Sequence, residues 1–332
     1  MGIKNLLKFL NTYPDLVIEK DINEFTGKKI AIDISILLYQ VVISVRNSGA
    51  DLVNKKGEIT SHILGLFNKT IKLLNKGIIP VYVFDGKPPE LKRKVLDLRK
   101  NIRKKAEEKL ALAQSEEDKI KYFKRSVIIT KKHLEDCREL LDYMGVPYID
   151  APEEADSQCA WLAKNNLVDA VLTEDMDILT FGSPYIIRNL TSFKKKPLEI
   201  SKSKILEKFE WTHEQFVHFC ILLGCDYCDN ISESNCFEIF KIYQRTKDIN
   251  EILKYFNKNI NYTQTIEYFN NPIVNKANGD LEFKNPNLNL LTKLLVDKHG
   301  LIKFKIQRKL TQLNNAYNLT QKIINKNNEL VV

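Results

Sequence analysis

The chain has 332 residues, 44% hydrophobic and 28% charged, which is enough apolar content to bury a sizeable core and excludes a low-complexity or fibrous protein. Lys plus Arg number 51 against 42 for Asp plus Glu, and the resulting net charge of +9 favours a polyanionic partner. No apolar run approaches the ~20 residues of a membrane span, and the N-terminal MGIKNLLKFL lacks a small-residue cleavage site. With six cysteines that fit reduced thiols, the chain reads as soluble and intracellular.

In chain order, residues 29–34 (KIAIDI) and 78–86 (IIPVYVFDG) are short β-branched and aromatic runs, each reaching an aspartate at its end, Asp33 and Asp85. Residues 92–105 (KRKVLDLRKNIRKK) follow at once and carry eight Lys or Arg against one Asp. If this stretch is helical, Lys92 and Arg99 share a face and Arg103 lies one further turn along. The whole segment 86–132 is strongly charged and only intermittently apolar, so it has little core to hold it, and substrate is expected to order it. Runs at 146–150 (VPYID) and 168–173 (VDAVLT) complete four strands separated by long helical patterns. The fold class is therefore α/β, a mostly parallel sheet with helices on both faces. Residues 271–290, rich in Asn and holding Pro272 and Pro286, read as a loop before a last helical segment. Without a Gly/Ser linker or internal repeat, the expectation is one compact domain over 1–332.

Ligands in such sheets gather beyond the carboxyl ends of the strands. Asp33, Asp85 and the pair Asp175 and Asp177 (TEDMD) fall at such ends, while Glu154 and Asp156 form a second spaced pair and Asp226 follows a helical stretch. Any one of these acids alone has a plainer role as a helix cap or turn former. Together they would raise one another's pKa, and bound cations remove that cost. All-oxygen ligation selects hard ions such as Mg²⁺ or Mn²⁺, and seven acids exceed what one such ion uses. Two ions roughly 4 Å apart are the recurrent solution in nucleases and phosphatases. The basic run beside Asp85 has its own plain reading as a solvated helix face, but its position suits it to hold a phosphodiester over the acids.

MGIKNLLKFL, AIDIS with Tyr39 downstream, VYVFDGKPP, DAPEEAD, TEDMDILTFG and FCILLGCDYC, in register from residue 1 to about 315, resemble the flap structure-specific endonucleases of the wider five-prime nuclease group that includes XPG-type enzymes. The resemblance implies Mg²⁺-dependent endonucleolytic removal of single-stranded 5′ flaps at junctions with duplex DNA, in replication and repair, with related 5′ exonuclease action. It implies two magnesium ions, for which Mn²⁺ can substitute: Asp33, Asp85, Glu154 and Asp156 around the first, and Asp175, Asp177 and Asp226 around the second. Lys92 and Arg99 match the basic pair that assists at the scissile phosphate. Tyr39 matches an aromatic that stacks on a base, and Gly2 a glycine whose backbone must approach DNA closely. Arg46 and Arg188 match basic positions near the cleavage point, and Arg103 extends the DNA-facing side of the basic helix. Mapped on the chain, the family's parts are an N-terminal nuclease region (1–105), a helical arch (86–132) through which the flap passes, an internal nuclease region (122–250) and a helical duplex-binding region (228–315). A nuclear location follows if the source is eukaryotic, a cytoplasmic one otherwise, and a monomer is expected.

Three departures from that family pattern stand out. Asp156 replaces the usual Glu, withdrawing its carboxylate by about 1.5 Å. Residues 230–237 (NISESNCF) lack the glycines of the hairpin that grips duplex phosphate through potassium, so a weakened, K⁺-independent grip is expected. NAYNLTQKIINKNNELVV has no paired aromatics after Gln321, which argues against recruitment by a sliding clamp through that route. Cys220, Cys225, Cys228 and Cys236, with His213 and His218, lack the paired spacings of a zinc ribbon. The alternatives left open are a 5′ exonuclease of the same family and a catalytically silent branched-DNA-binding protein.

Overall fold

Seven strands form one sheet in the order β1-β7-β6-β5-β2-β3-β4. They are β1 (Ile18–Glu19), β2 (Lys29–Asp33), β3 (Ile79–Phe84), β4 (Tyr148–Asp150), β5 (Ala170–Leu172), β6 (Tyr185–Arg188) and β7 (Leu198–Ser201). The five from β6 to β4 run parallel, and β7 and β1 add an antiparallel edge. This computed structural model describes the chain except for Met1, Lys55, Phe193, Asn230, residues 232–234, 277–280 and 330–332, and the side chains of 327–329.

Both faces of the sheet are covered, which is why its central strands read as continuous apolar runs. Alternate residues divide between two cores. Ala31, Val81, Val83 and Val171 pack with helices that include Leu6–Leu10, Ala155–Lys164 and His213–Leu223. Ile30, Ile32, Tyr82, Phe84 and Leu172 pack with Ile34–Arg46, Ser61–Leu74, Lys131–Met144 and the long last helix Lys303–Glu329. The four expected strands are present. β1, β6 and β7 are additional, and their polar or mixed edge positions gave no clear period.

The region 228–315 is shared between the two cores. Cys236–Thr246, Ile249–Tyr255 and Thr263–Asn270 join the first, whereas Leu288–Thr292 and Lys303–Glu329 join the second. The intervening loop is tied down where Gln158 exchanges hydrogen bonds with the Asn275 backbone. Of the glycine-poor segment 230–237, Asn230 and residues 232–234 lie outside the described residues, and Asn235 caps the following helix by accepting from Phe237 N–H.

The basic run forms the helix Arg93–Leu112, on which only Ala106 is buried, followed by Glu116–Arg125 with none. The second helix is capped by Ser115 and carries acids in its first turn and Lys124 and Arg125 in its last, an arrangement that its own dipole favours. Arg46 ties this pair of helices to the body: it bridges to Asp51, donates to the Phe123 carbonyl and lies 4.0 Å from the centre of the Phe123 ring. With almost no core beneath them, the second helix is held by the Ser115 cap and the Arg46 tie, and the first has no side-chain cap.

Candidate active site

The chain turns at the carboxyl ends of β2, β3 and β5 to start helices, and those turns set the acids. Asp33 ends β2 and caps Ile34–Arg46, its Oδ1 accepting from Ser35 N–H at 2.7 Å and Ile36 N–H at 3.3 Å. Asp85 follows β3 and bridges two elements: Oδ2 accepts from the Ser35 hydroxyl at 2.6 Å and Oδ1 from Ala155 N–H at 2.9 Å. Asp85 thereby satisfies the first amide of Ala155–Lys164. Glu154, the residue at that helix's N-cap, is left free of the capping role that its position allowed. Beyond β5, Thr173 Oγ1 accepts from Asp175 N–H and Asp175 Oδ1 from Asp177 N–H, at 2.9 and 3.1 Å, so each acid orients the next.

Cations enter from the short turn of helix Glu90–Lys92 and from Arg93–Leu112. Lys92, 9% exposed, donates to Glu154 Oε1, and the Tyr227 hydroxyl donates to Glu154 Oε2. Arg99, two helical turns on, pairs with Asp226. Seven acids and both basic residues of the sequence pattern are thus brought to one rim by β2, β3, β5, the turn after His213–Leu223 and the arch. Lys92 and Arg99 already reach the acids in this conformation. Among the described residues no three acidic, thiol or imidazole groups converge as a ready ligand set, and Lys92 and Arg99 hold two of the rim carboxylates.

The electrostatics of the rim show how much negative charge remains uncompensated. Burial, and then the neighbouring Asp85, push Asp33 far above the usual carboxylate range. Burial also pushes up Asp156, with Asp175 and Asp33 adding to the effect, and Asp177, with Asp175 and Asp226 adding. Asp175 is raised by the same desolvation. Lys92 responds in the opposite sense: burial would depress it, but Glu154 and Asp156 outweigh that and hold it more firmly protonated. Asp156 Oδ1 and Asp177 Oδ1 are buried without any hydrogen-bond partner. An orphaned carboxylate oxygen in a protein interior is costly unless something binds it.

Gly2 is buried against this rim with φ +75°, and a Cβ there would lie 1.6 Å from Asp175 Oδ1. Only glycine therefore fits, and what presses on its backbone is the acid cluster itself. Tyr39 is half-buried on Ile34–Arg46 and Arg103 half-buried on the arch helix. Arg188 ends β6 and clamps Glu174 through its carboxylate at 2.8 Å and its backbone carbonyl. Arg46 is engaged with the arch as described.

Sequence reasoning did not assign Ser35, Thr173 or Tyr227. Each lies within two residues of a named acid, in AIDIS, TEDMD and GCDYC, and that adjacency was the available signal.

A mostly parallel α/β sheet with buried carboxylates massed at its carboxyl rim beneath a basic helical arch defines a nuclease of the five-prime class. The XPG N-terminal domain matches residues 1–106 and the XPG I-region residues 145–226. Flap endonuclease 1 of Homo sapiens is 45% identical over 266 residues, 78% of this chain and 70% of the relative. Flap endonuclease 1-B of Physcomitrium patens is 41% identical over 335 residues, 96% of each chain. The solved flap endonuclease-1 from Methanococcus jannaschii superposes with a TM-score of 0.75 at 34% identity, covering 95% of this chain and 98% of that one. The chain belongs to the flap endonuclease family of XPG-type nucleases.

Proposed function

We propose that the acidic rim is a two-metal centre for hydrolysis of DNA phosphodiesters, with Mg²⁺ as the resident ion and Mn²⁺ able to replace it. The protein is a 5′ flap endonuclease, a hydrolase of DNA replication and repair that cuts near the junction of flap and duplex. One observation carries the metal reading: buried carboxylates outnumber the cations that reach them, and two of their oxygens, Asp156 Oδ1 and Asp177 Oδ1, have no partner. An all-oxygen donor set with such orphans fits hard divalent cations.

Asp33, Asp85, Glu154 and Asp156 would hold one ion and Asp175, Asp177 and Asp226 the other. When bound, the ions supply Lewis-acid polarisation of the phosphate and acidify an attacking water. The remaining work falls to the chain. Lys92 and Arg99 exchange their carboxylate partners for the oxygens of the scissile phosphate and neutralise the charge that develops as the bond breaks. Tyr227 keeps Glu154 aimed through Oε2, and Ser35 does the same for Asp85 through Oδ2. Gly2 leaves room for the acids. Unpairing the terminal nucleotides to reach a recessed rim costs a few kcal/mol, part of which Tyr39 stacking on a base offsets. Arg188 and Arg103 serve as phosphate contacts, and Arg46 acts by fixing the arch through which the flap passes. The partner is branched DNA, the protein acts as a monomer, and in a eukaryote it is nuclear. Among the described residues no helix is long and apolar enough to cross a membrane.

The test is incubation with Mg²⁺ and four labelled substrates: a double-flap DNA, a blunt duplex, a single strand and an RNA-flap version. One product cut just inside the junction is the expected result. A ladder from the 5′ end would instead select an exonuclease, and binding without product a silent DNA-binding protein.

A further inference from the structure

Cys225 and Cys228 bracket Asp226 and Tyr227, and their Sγ atoms lie 3.7 Å apart. Asp226 receives Arg99, and the Tyr227 hydroxyl holds Glu154, so the two residues between the thiols are both wired into the rim. The segment is a bend that follows His213–Leu223 and lies outside any helix, so no helical hydrogen bond fixes the spacing of the two sulfurs. Cys225 is 6% exposed and Cys228 is only partly buried, with the Thr265 hydroxyl beside it. The other four cysteines, Cys137, Cys159, Cys220 and Cys236, are all buried. One thiol of the pair is therefore open to an oxidant and its resolving partner sits behind it, the arrangement of an oxidisable dithiol.

We propose that Cys225 and Cys228 form a reversible disulfide with hydrogen peroxide as oxidant, and that closing it switches off phosphodiester cleavage by pulling Asp226 and Tyr227 out of place. In the first step the Cys228 thiolate attacks one peroxide oxygen, the O–O bond breaks, and the departing hydroxide takes up the proton that the thiol released. Cys228 is now a sulfenic acid. The Cys225 sulfur then attacks the Cys228 sulfur, the S–O bond breaks, and the oxygen leaves as a second water carrying the Cys225 proton. Two thiols give up two electrons, and the peroxide is reduced to two waters. Bonding requires the sulfurs to close from 3.7 Å to about 2.05 Å, and a four-residue bend takes up that change in its two middle residues. A dithiol reductant reverses the step by thiol–disulfide exchange.

The effect on cleavage rests on the nuclease reading above; the oxidation does not. Reduced, metal-free protein is treated with hydrogen peroxide and alkylated, and the peptide spanning residues 225–228 is weighed. Flap cleavage with Mg²⁺ is measured on the same samples before oxidation, after it, and after dithiothreitol. The expected result is a linked 225–228 pair, a fall in cleavage of at least tenfold, and recovery on reduction. Cys228→Ser should cut flap DNA like the wild type and keep its activity under peroxide. Cys225→Ser should also form no linked pair, but because Cys225 is packed, Cys228→Ser decides. Free, alkylated thiols after peroxide would overturn the proposal, as would a linked pair with unchanged cleavage, or equal inactivation of Cys228→Ser. If the reduced wild type cuts no flap DNA, the nuclease reading fails and the effect on cleavage with it, while the mass of the peptide still decides whether the pair oxidises.

Discussion

Two buried clusters of ionisable groups in this molecule are built from opposite charges, and the comparison shows which of them is made for a ligand. At the rim, desolvation pushes Asp33, Asp156 and Asp177 upward, toward the protonated form. Elsewhere, His62 on Ser61–Leu74 is stacked 4.3 Å from His133 and faces Asp136, both on Lys131–Met144, with Lys298 and His299 approaching from the end of the helix Lys293–Lys298. There desolvation pushes His62 down to about 4, and His133 and His299 downward as well. Both clusters thus move toward neutrality. The histidines achieve it simply by staying unprotonated at neutral pH, with Asp136 matched to Lys298. The acids reach it only by taking up protons against a carboxylate's ordinary preference, because Lys92 and Arg99 pair with Glu154 and Asp226 and leave the others to crowd one another. The histidine cluster is structural, and the acidic rim calls for cations.

The largest test of that contrast is Asp177→Ala. Flap cleavage should fall by about 10³-fold or more, the scale of losing a preorganised charge at the reacting centre. The metal-free protein should nevertheless melt higher than the wild type, because one buried, repelled carboxylate is gone. A lower melting temperature would show that the rim is not under electrostatic strain. Lys92→Ala should do the reverse to stability: it removes a cation from an acid-rich interior, costing about 3 kcal/mol in the metal-free state, while cleavage falls about 10²-fold. Unchanged thermal and kinetic behaviour would remove Lys92 from the account.

The pH dependence separates the two clusters by sign. His62 has a folded pKa below its unfolded value near 6.5, so its neutral burial is unpenalised above pH 6.5 and stability is lost as pH falls from there toward 4, by about 3 kcal/mol over the full shift. The rim acids have folded pKa values above their unfolded ones, so their share of stability is intact below the unfolded carboxylate value near 4 and is lost as pH rises through the raised values. Melting of metal-free protein across pH 4 to 8 should therefore show a shallower acid-side slope in His62→Phe and a shallower alkaline-side slope in Asp177→Asn. If each substitution left both slopes in place, the assignment of the clusters would be wrong. The smallest effect is expected at Asp156→Glu, where the longer carboxylate should change turnover by less than about tenfold and alter the Mg²⁺ to Mn²⁺ rate ratio.

The rim was legible in the sequence because strands buried on both faces print as unbroken apolar runs, and an aspartate at the end of such a run is conspicuous. Asp33 and Asp85 were found that way. The histidine cluster was not, since residues 62, 133, 136 and 299 lie on separate elements and only the packing of helices brings them together. Tyr227 escaped for a related reason: its contact is with Glu154, 73 positions earlier. The division of residues 228–315 between two cores was hidden too, because amphipathic helices show that a face is buried without showing against what. Gly2 was noticed for an expected approach to DNA, whereas the contact that forbids a side chain there is Asp175.

The central claim is that the uncompensated carboxylates of the rim are a seat for paired divalent ions. Mn²⁺ titration of the metal-free protein, followed by the paramagnetic resonance of the free ion, measures this directly. Two saturable sites per wild-type chain and the loss of at least one in Asp177→Asn are the predicted result; equal binding by both proteins, or none by either, would contradict it.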